Sequence, residues 1–172
     1  TLETVNGYIS MPTIGATGDQ SLFTVTDGTI KNSGQISGAK KLDISGGTVQ
    51  SQGVVVGALT LSGGTLTIRE AVRKNPYHEK LLVRPAVDAS TLTVSGGTLD
   101  AAWYWGQFTP PIVFPVDDYY GYADPLVKIT GYNSSATFNG GTTILDTGCA
   151  GNTALKTETL KLGSGIYGSG YT

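Results

Sequence analysis

The chain is poor in the residue types that carry most protein chemistry. It has one cysteine and one histidine, and charged residues make up only 14% of its 172 residues. The single Cys149 excludes an intramolecular disulfide framework, and the single His78 argues against a metal site built from histidines. A net charge of -2 gives no electrostatic reason to expect nucleic acid as a partner. No apolar run approaches the roughly 20 residues of a membrane-spanning helix, so we expect no membrane insertion.

Glycine, by contrast, is abundant. The 25 glycines argue against helices, since an interior glycine costs a helix about 1 kcal/mol relative to alanine. The many threonines suit pleated strands, where β-branched side chains pack well. The length fits one domain with its own core. Composition therefore predicts a single all-β domain over residues 1–172.

A short phrase recurs along the chain, and it is the most informative feature of the sequence. Six segments carry an apolar-polar-apolar triplet followed by a glycine turn, three with the full Ser-Gly-Gly-Thr turn and three with weaker copies: 42–49, 59–66 and 92–99, then 23–30, 136–143 and 160–166. Repeats of strand, tight turn and strand are typical of solenoids. The turn spacing indicates coils of about 17–19 residues with two or three loop insertions.

Alternation within each copy predicts which side chains form the core. Leu42 and Ile44 would point inward and stack on counterparts about 4.8 Å away in the next coil, while Asp43 would face solvent. The turn glycines would form corners that require a positive φ. These corner residues are Gly28, Gly47, Gly64, Gly97, Gly141 and Gly165. We therefore expect Gly64→Val to damage the fold more than a change at Thr60.

Together these patterns predict an all-β fold, a single-stranded right-handed parallel β-helix. The handedness follows by analogy from the strong right-handed preference of parallel crossovers. An antiparallel meander or sandwich is the alternative, because alternation with glycine turns also occurs in hairpins. Hairpins seldom repeat one turn sequence at one offset, which favours the parallel arrangement.

Two insertions interrupt the repeat, at about residues 69–90 and 100–125. The first is basic, with five of the chain's 11 basic residues between 69 and 84. The second is aromatic and acidic, with eight of the 15 aromatic residues between 103 and 122. Both leave the repeat just after a Gly-Gly-Thr corner. We therefore expect them to emerge at one edge, lie side by side and pack through opposite charges.

The aromatic insertion is the candidate ligand-binding surface, because flat aromatic faces with a few polar groups suit sugar rings. The candidate contact residues are Trp103, Tyr104, Trp105, Tyr119, Tyr120 and Tyr122. A purely packing role for these aromatics is the alternative. Acid/base catalysis by Asp117 and Asp118 is a weaker hypothesis, since adjacent strand residues point to opposite faces. We expect no catalytic residues and no enzyme activity.

Calcium is the one cofactor candidate. Asp117, Asp118 and Asp124 could supply oxygen ligands, with Asp100 as a fourth. The chain lacks an EF-hand spacing and the glycine-aspartate nonapeptide of calcium-binding β-rolls, so no cofactor is required by the sequence. Outward threonines also recur once per repeat, a column that is typical of ice-binding solenoids. Insertions after three of the five threonines would interrupt a flat ice-binding face. The five are Thr29, Thr48, Thr65, Thr98 and Thr142.

The repeat Leu-x-Ile/Leu/Val-Ser-Gly-Gly-Thr-Val/Leu resembles the parallel β-helix repeats of bacterial secreted and surface proteins. These include autotransporter passengers, filamentous-haemagglutinin-like adhesins and pectate-lyase-like carbohydrate-binding proteins. The resemblance covers about residues 21–66, 91–99 and 136–167. It implies an extracellular or cell-surface location and attachment to a polysaccharide or host-cell glycan. The chain lacks a lyase-type cluster of carboxylates with a catalytic Arg or Lys, and it lacks a secretion-domain motif.

Neither end of the sequence reads as an amphipathic capping helix, although a solenoid exposes unpaired backbone at uncapped ends. We therefore also expect either a fragment of a longer stalk or copies that self-associate end to end. The alternative function is accordingly a structural stalk or a self-assembling fibre subunit of a cell surface or extracellular matrix.

Overall fold

The computed structural model describes residues 2–4, 8–11, 14–15, 21–74, 81–104, 120–148, 153–163 and 166–169. Regular structure in these residues consists of β-strands, with no helix among them. The strands form one sheet of 11, one of seven and a small one of three. The predicted all-β class is confirmed.

The strands of the described residues follow one another in short segments. In chain order they are β1 Leu2–Thr4, β2 Tyr8–Met11, β3 Ile14–Gly15, β4 Leu22–Val25, β5 Thr29–Asn32, β6 Gln35–Ser37, β7 Lys41–Ile44, β8 Thr48–Ser51, β9 Gly53–Leu61, β10 Thr65–Ala71, β11 Arg73–Lys74, β12 Leu81–Val83, β13 Val87–Val94, β14 Thr98–Tyr104, β15 Tyr120–Ala123, β16 Val127–Ile129, β17 Ser135–Phe138, β18 Thr142–Asp146, β19 Leu155–Lys156, β20 Thr159–Leu162 and β21 Ile166–Ser169.

Two large sheets receive strands from each repeat in turn. The first has the order β1-β4-β7-β9-β13-β16-β19, with β3, β6, β17 and β20 paired alongside this path. The second has the order β2-β5-β8-β10-β14-β18-β21. Each strand therefore lies beside its counterpart from the repeats before and after it.

The pairings within both large sheets are parallel wherever the structure describes them. The register matches the repeat, since Leu59 lies between Leu42 and Leu92. The antiparallel alternative is wrong for these sheets, because hairpin-linked neighbours would run in opposite directions.

The side chains predicted to face inward form one continuous apolar core. Leu42, Ile44, Leu59 and Leu61 are buried, while Asp43 between the first two is half-buried. A fully buried side chain of this size contributes about 1.5–3 kcal/mol. Stacking of such side chains on their counterparts in paired strands is therefore a main source of stabilisation.

Glycine pairs form the corners between the two large sheets. A Cβ on Gly63 would collide with the carbonyl oxygen of Ser45 in the preceding repeat. Gly64 has a φ of 71°, which other residues rarely adopt. Gly165 lies outside the described residues. The other predicted corner glycines all have positive φ: Gly28, Gly47, Gly64, Gly97 and Gly141.

Regular pairing continues into the segments predicted as insertions. β10 runs to Ala71 and β14 runs to Tyr104, paired residue for residue. The next strands of the first sheet begin at Val87 and Val127. The insertions thus leave the sheets later than residues 69 and 100, because cross-strand hydrogen bonds extend both strands beyond the repeated phrase.

Candidate functional site

The two insertions meet in the small third sheet. β12 of the first insertion pairs in parallel with β15 of the second, with Val83 beside Ala123. β11 pairs with β12 in the antiparallel direction. The amide of Asp124 also donates to the carbonyl of Val83 at 3.2 Å. The expectation that the insertions lie side by side is confirmed, and we call β11, β12, β15 and Tyr104 the insertion surface.

Trp103 anchors the base of this surface. Its side chain is only 5% exposed, and Nε1 donates to the carbonyl of Arg84 at 2.8 Å. Arg84 directly follows β12, so the hydrogen bond connects the end of β14 to the segment in which the first insertion leads back to the first sheet. The predicted ligand-contacting role of Trp103 therefore needs correction, since a ring buried in the core offers no face to a sugar.

An ion pair joins β10 and β14, the strands of the second sheet that lead into the two insertions. Arg69 Nη2 lies 2.6 Å from Asp100 Oδ2, and Nη1 lies 3.0 Å from Oδ1. Nη1 also donates to the carbonyl oxygens of Ile68 and Asp100, each at 3.0 Å. The predicted packing through opposite charges is confirmed for this pair. Since the side chains are 44% and 26% exposed, we expect a contribution of at most about 1 kcal/mol.

A second group of charged residues lies where the chain re-enters the first sheet after the aromatic insertion. Lys128 Nζ lies 2.9 Å from Asp124 Oδ1. Asp88, beside Lys128 across the β13–β16 pairing, is a third member. Burial raises the pKa of the Asp88 carboxyl, and Lys128 only partly opposes this rise. Asp124, a predicted calcium ligand, is thus held by a lysine.

Tyr104 is an exposed aromatic among the described side chains of this surface. It is 62% exposed at the last position of β14. Its carbonyl accepts a hydrogen bond from the amide of Val72 at 3.0 Å, which holds it beside the start of β11. The phenol is therefore presented to solvent by a fixed backbone.

The remaining predicted site residues are only partly covered by the structure. Tyr120 and Tyr122 lie on β15, and the positions of their side chains are outside what the structure describes. Trp105, Tyr119, Asp117 and Asp118 lie outside the described residues. Within the described part of the chain, no three His, Cys, Asp or Glu side chains are grouped as a metal ion would need. Calcium binding through Asp117 and Asp118 stays a prediction.

Glu70 is a buried acid that the sequence analysis missed. It is 3% exposed, and its Oε2 lies 3.0 Å from the point where a Cβ on Gly53 would be. The alternation of inward and outward residues along β10 could have identified Glu70 as inward, because Leu66 and Ile68 are buried four and two residues before it. Glycine at position 53 leaves room for the carboxylate in the interior.

Comparison of the chain with protein-family models, curated proteins and solved structures yields no match. Among the described residues, no helix has the length and apolar character needed to cross a membrane.

Proposed function

We propose that the chain is a right-handed parallel β-helix module of a secreted or cell-surface protein, and that it attaches without catalysis to a polysaccharide or cell-surface glycan. The architecture is supported by the order of the strands. Each repeat contributes one strand to the seven-stranded sheet and one or two to the 11-stranded sheet, as β6, β7 and β8 do before β9 and β10, and each pairs in parallel with its counterpart. A chain that winds in this way forms successive coils of about 17–19 residues.

The exposed ring of Tyr104 on a rigid strand is the observation that carries the binding proposal. An aromatic face held by a scaffold can stack on a sugar ring, and its hydroxyl can hydrogen-bond to the sugar's own hydroxyls. Tyr120 and Tyr122 lie on a strand of the same insertion surface. Aromatic residues on separate strands of this surface would give an extended contact suited to a chain of sugars.

Attachment is favoured over catalysis by the ion pairs of two described acids, Asp100 and Asp124. Asp100 is held by Arg69 and Asp124 by Lys128. Hydrolysis of a glycosidic bond usually needs two carboxyl groups facing one bond, one of them with a raised pKa. Carboxylates committed to ion pairs suit a supporting role around the contact surface.

Binding of the purified chain to a panel of neutral and acidic polysaccharides, with and without Ca²⁺, tests this proposal. We expect Tyr104→Ala to weaken binding at least about tenfold, as loss of a central aromatic contact does. Tyr132→Ala is the matched control, since Tyr132 is 95% exposed but lies on the turn before β17. Trp103→Phe keeps the buried ring and should bind normally. Equal binding by the Tyr104 and Tyr132 variants, or no binding by the wild-type chain, would overturn the proposal.

A second candidate function, a stalk segment or fibre subunit, is favoured by a separate observation. The inward residues Leu160 and Leu162 of β20 are 49% and 65% exposed, although their counterparts one repeat earlier are buried. A further layer of strands would cover them. Such a layer could belong to the same polypeptide in a stalk or to a second molecule in a fibre.

A further inference from the structure

We propose that the edge formed by β20 and β21 binds the edge formed by β1 and β2 of a second copy of this chain, in parallel and in register. This inference rests on the proposed β-helix and develops the fibre named in the second candidate function. It assigns the partner, the contacting strands and the charged pair at the contact.

The edge formed by β20 is apolar at the positions that continue the inward columns of the core. Ala136 and Phe138 of β17 are 0% and 3% exposed, because β20 covers them. Leu160 and Leu162 occupy the same two columns and remain largely exposed. Among the described strands, β20 pairs with β17 alone and β21 with β18 alone. Among the described strands, one side of β20 and of β21 therefore offers unpaired backbone groups, and β20 adds apolar side chains, which together are the template for β-strand addition.

The first repeat of another copy has the geometry to fill this edge. β1 pairs with β4 and β2 with β5, so their other sides are open among the described strands. The step from the first sheet to the second is six residues at both edges, from Leu2 to Tyr8 and from Leu160 to Ile166. Two edges with the same step can pair along both large sheets without a shift in register.

Charge in one register column favours this orientation over its reverse. Glu3 and Lys161 occupy the same column at opposite ends, connected through Thr24, Asp43 and the threonines between. Stacking of copies would bring residues 3 and 161 to neighbouring strands about 4.8 Å apart, with opposite charges. Pairing of two β20 edges would instead bring lysine against lysine. The column therefore selects a head-to-tail contact.

A head-to-tail contact leaves one free edge of each kind on every assembly. Such a heterologous interface does not close by itself and permits linear growth. The proposed product is thus a filament in which the two large sheets continue from one copy to the next, with an insertion surface on every copy.

Sedimentation velocity of residues 1–172 over a wide concentration range tests the assembly. We expect the wild-type chain to form species of increasing mass, and Lys161→Glu to weaken association at least about tenfold through repulsion of Glu3. Glu3→Lys should also weaken it, and the Glu3→Lys/Lys161→Glu double variant should restore it. Lys31→Glu is the matched control, because Lys31 is an exposed residue on β5 with the same charge change. Far-UV circular dichroism establishes that each variant is folded.

Three outcomes would overturn this inference: a wild-type chain that is monomeric at all concentrations, association that is insensitive to the charge changes, or a double variant that is not restored. Glycan binding is measured in parallel on the monomeric Lys161→Glu variant, so failure of assembly and failure of attachment can be told apart. A monomeric chain that still binds glycan would exclude the fibre and leave the attachment module intact.

Discussion

At the scale of single residues, the two glycines of each corner serve different physical needs. Gly63 needs its missing side chain, since the carbonyl of Ser45 occupies the place of a Cβ. Gly64 needs its backbone freedom, with a φ of 71°, and it is crowded as well, because a Cβ there would lie 2.6 Å from the carbonyl carbon of Gly46. Close stacking of successive corners is the common cause, because parallel strands keep neighbouring repeats at strand spacing.

Gly64→Ala should accordingly cost at least about 2 kcal/mol in free energy of unfolding, from left-handed backbone strain and from collision with the preceding corner. Thr60→Ala, at a half-buried outward position in the same repeat, should cost less than about 1 kcal/mol. Urea denaturation of both variants measures the difference. Equal losses would mean that the corner relaxes around the new methyl group.

At the scale of elements, the neighbouring strands β13 and β16 bring charges together beside the insertion surface. Asp88 lies across from Lys128, which holds Asp124 at 2.9 Å. Burial raises the pKa of Asp88, so the folded state binds its proton more tightly than the unfolded chain does. The resulting contribution to stability is present at low pH and decreases as the pH rises from 3.8 through the raised pKa.

Asp88→Asn removes this titration while keeping a side chain of similar shape. We expect the melting temperature of the variant, relative to the wild type, to increase as the pH is raised from about 3.5 to about 7. Thermal unfolding at both pH values measures the trend. The attraction of Asp88 to Lys128 opposes the change, and a relative stability that falls with pH would show that this attraction outweighs burial.

At the scale of the whole molecule, the burial of a core residue depends on paired strands on both sides of its own strand. Leu61 and Leu162 belong to one inward column, yet Leu61 is fully buried by strands on both sides, while Leu162 has a neighbour on one side only among the described strands. Each repeat contacts chiefly its neighbours, so the repeat at an open edge has the fewest stabilising contacts.

Leu61→Ala should therefore destabilise the chain by about 2–5 kcal/mol, as core truncations do, whereas Leu162→Ala should cost less than about 1 kcal/mol in the monomer. Hydrogen exchange should show β20 and β21 opening before β9 and β13. Dilute samples, or the Lys161→Glu background, keep assembly from protecting the edge. Uniform protection along the chain would contradict this prediction.

Much of the repeated part was predictable because its signals are local. Period-two alternation predicted the burial of Leu42 and Ile44, and paired glycines predicted corners with positive φ at Gly47 and Gly64. The same alternation, followed two residues further along β10, would have identified Glu70 as an inward residue. Charge and position predicted that the two insertions meet.

The sequence by itself determined the strands, their inward faces and the corners, because each depends on residues close together in the chain. Only the tertiary structure decided which aromatic is an anchor and which is exposed. Trp103 and Tyr104 are adjacent and equally suited to a sugar, but the carbonyl of Arg84 reaches the indole and the core encloses it. Likewise, the pairing of Arg69 with Asp100 depends on two strands from different repeats lying in register. Both contacts lie outside the repeated phrase and follow no periodic pattern in the sequence. They are therefore defined only once the chain has folded.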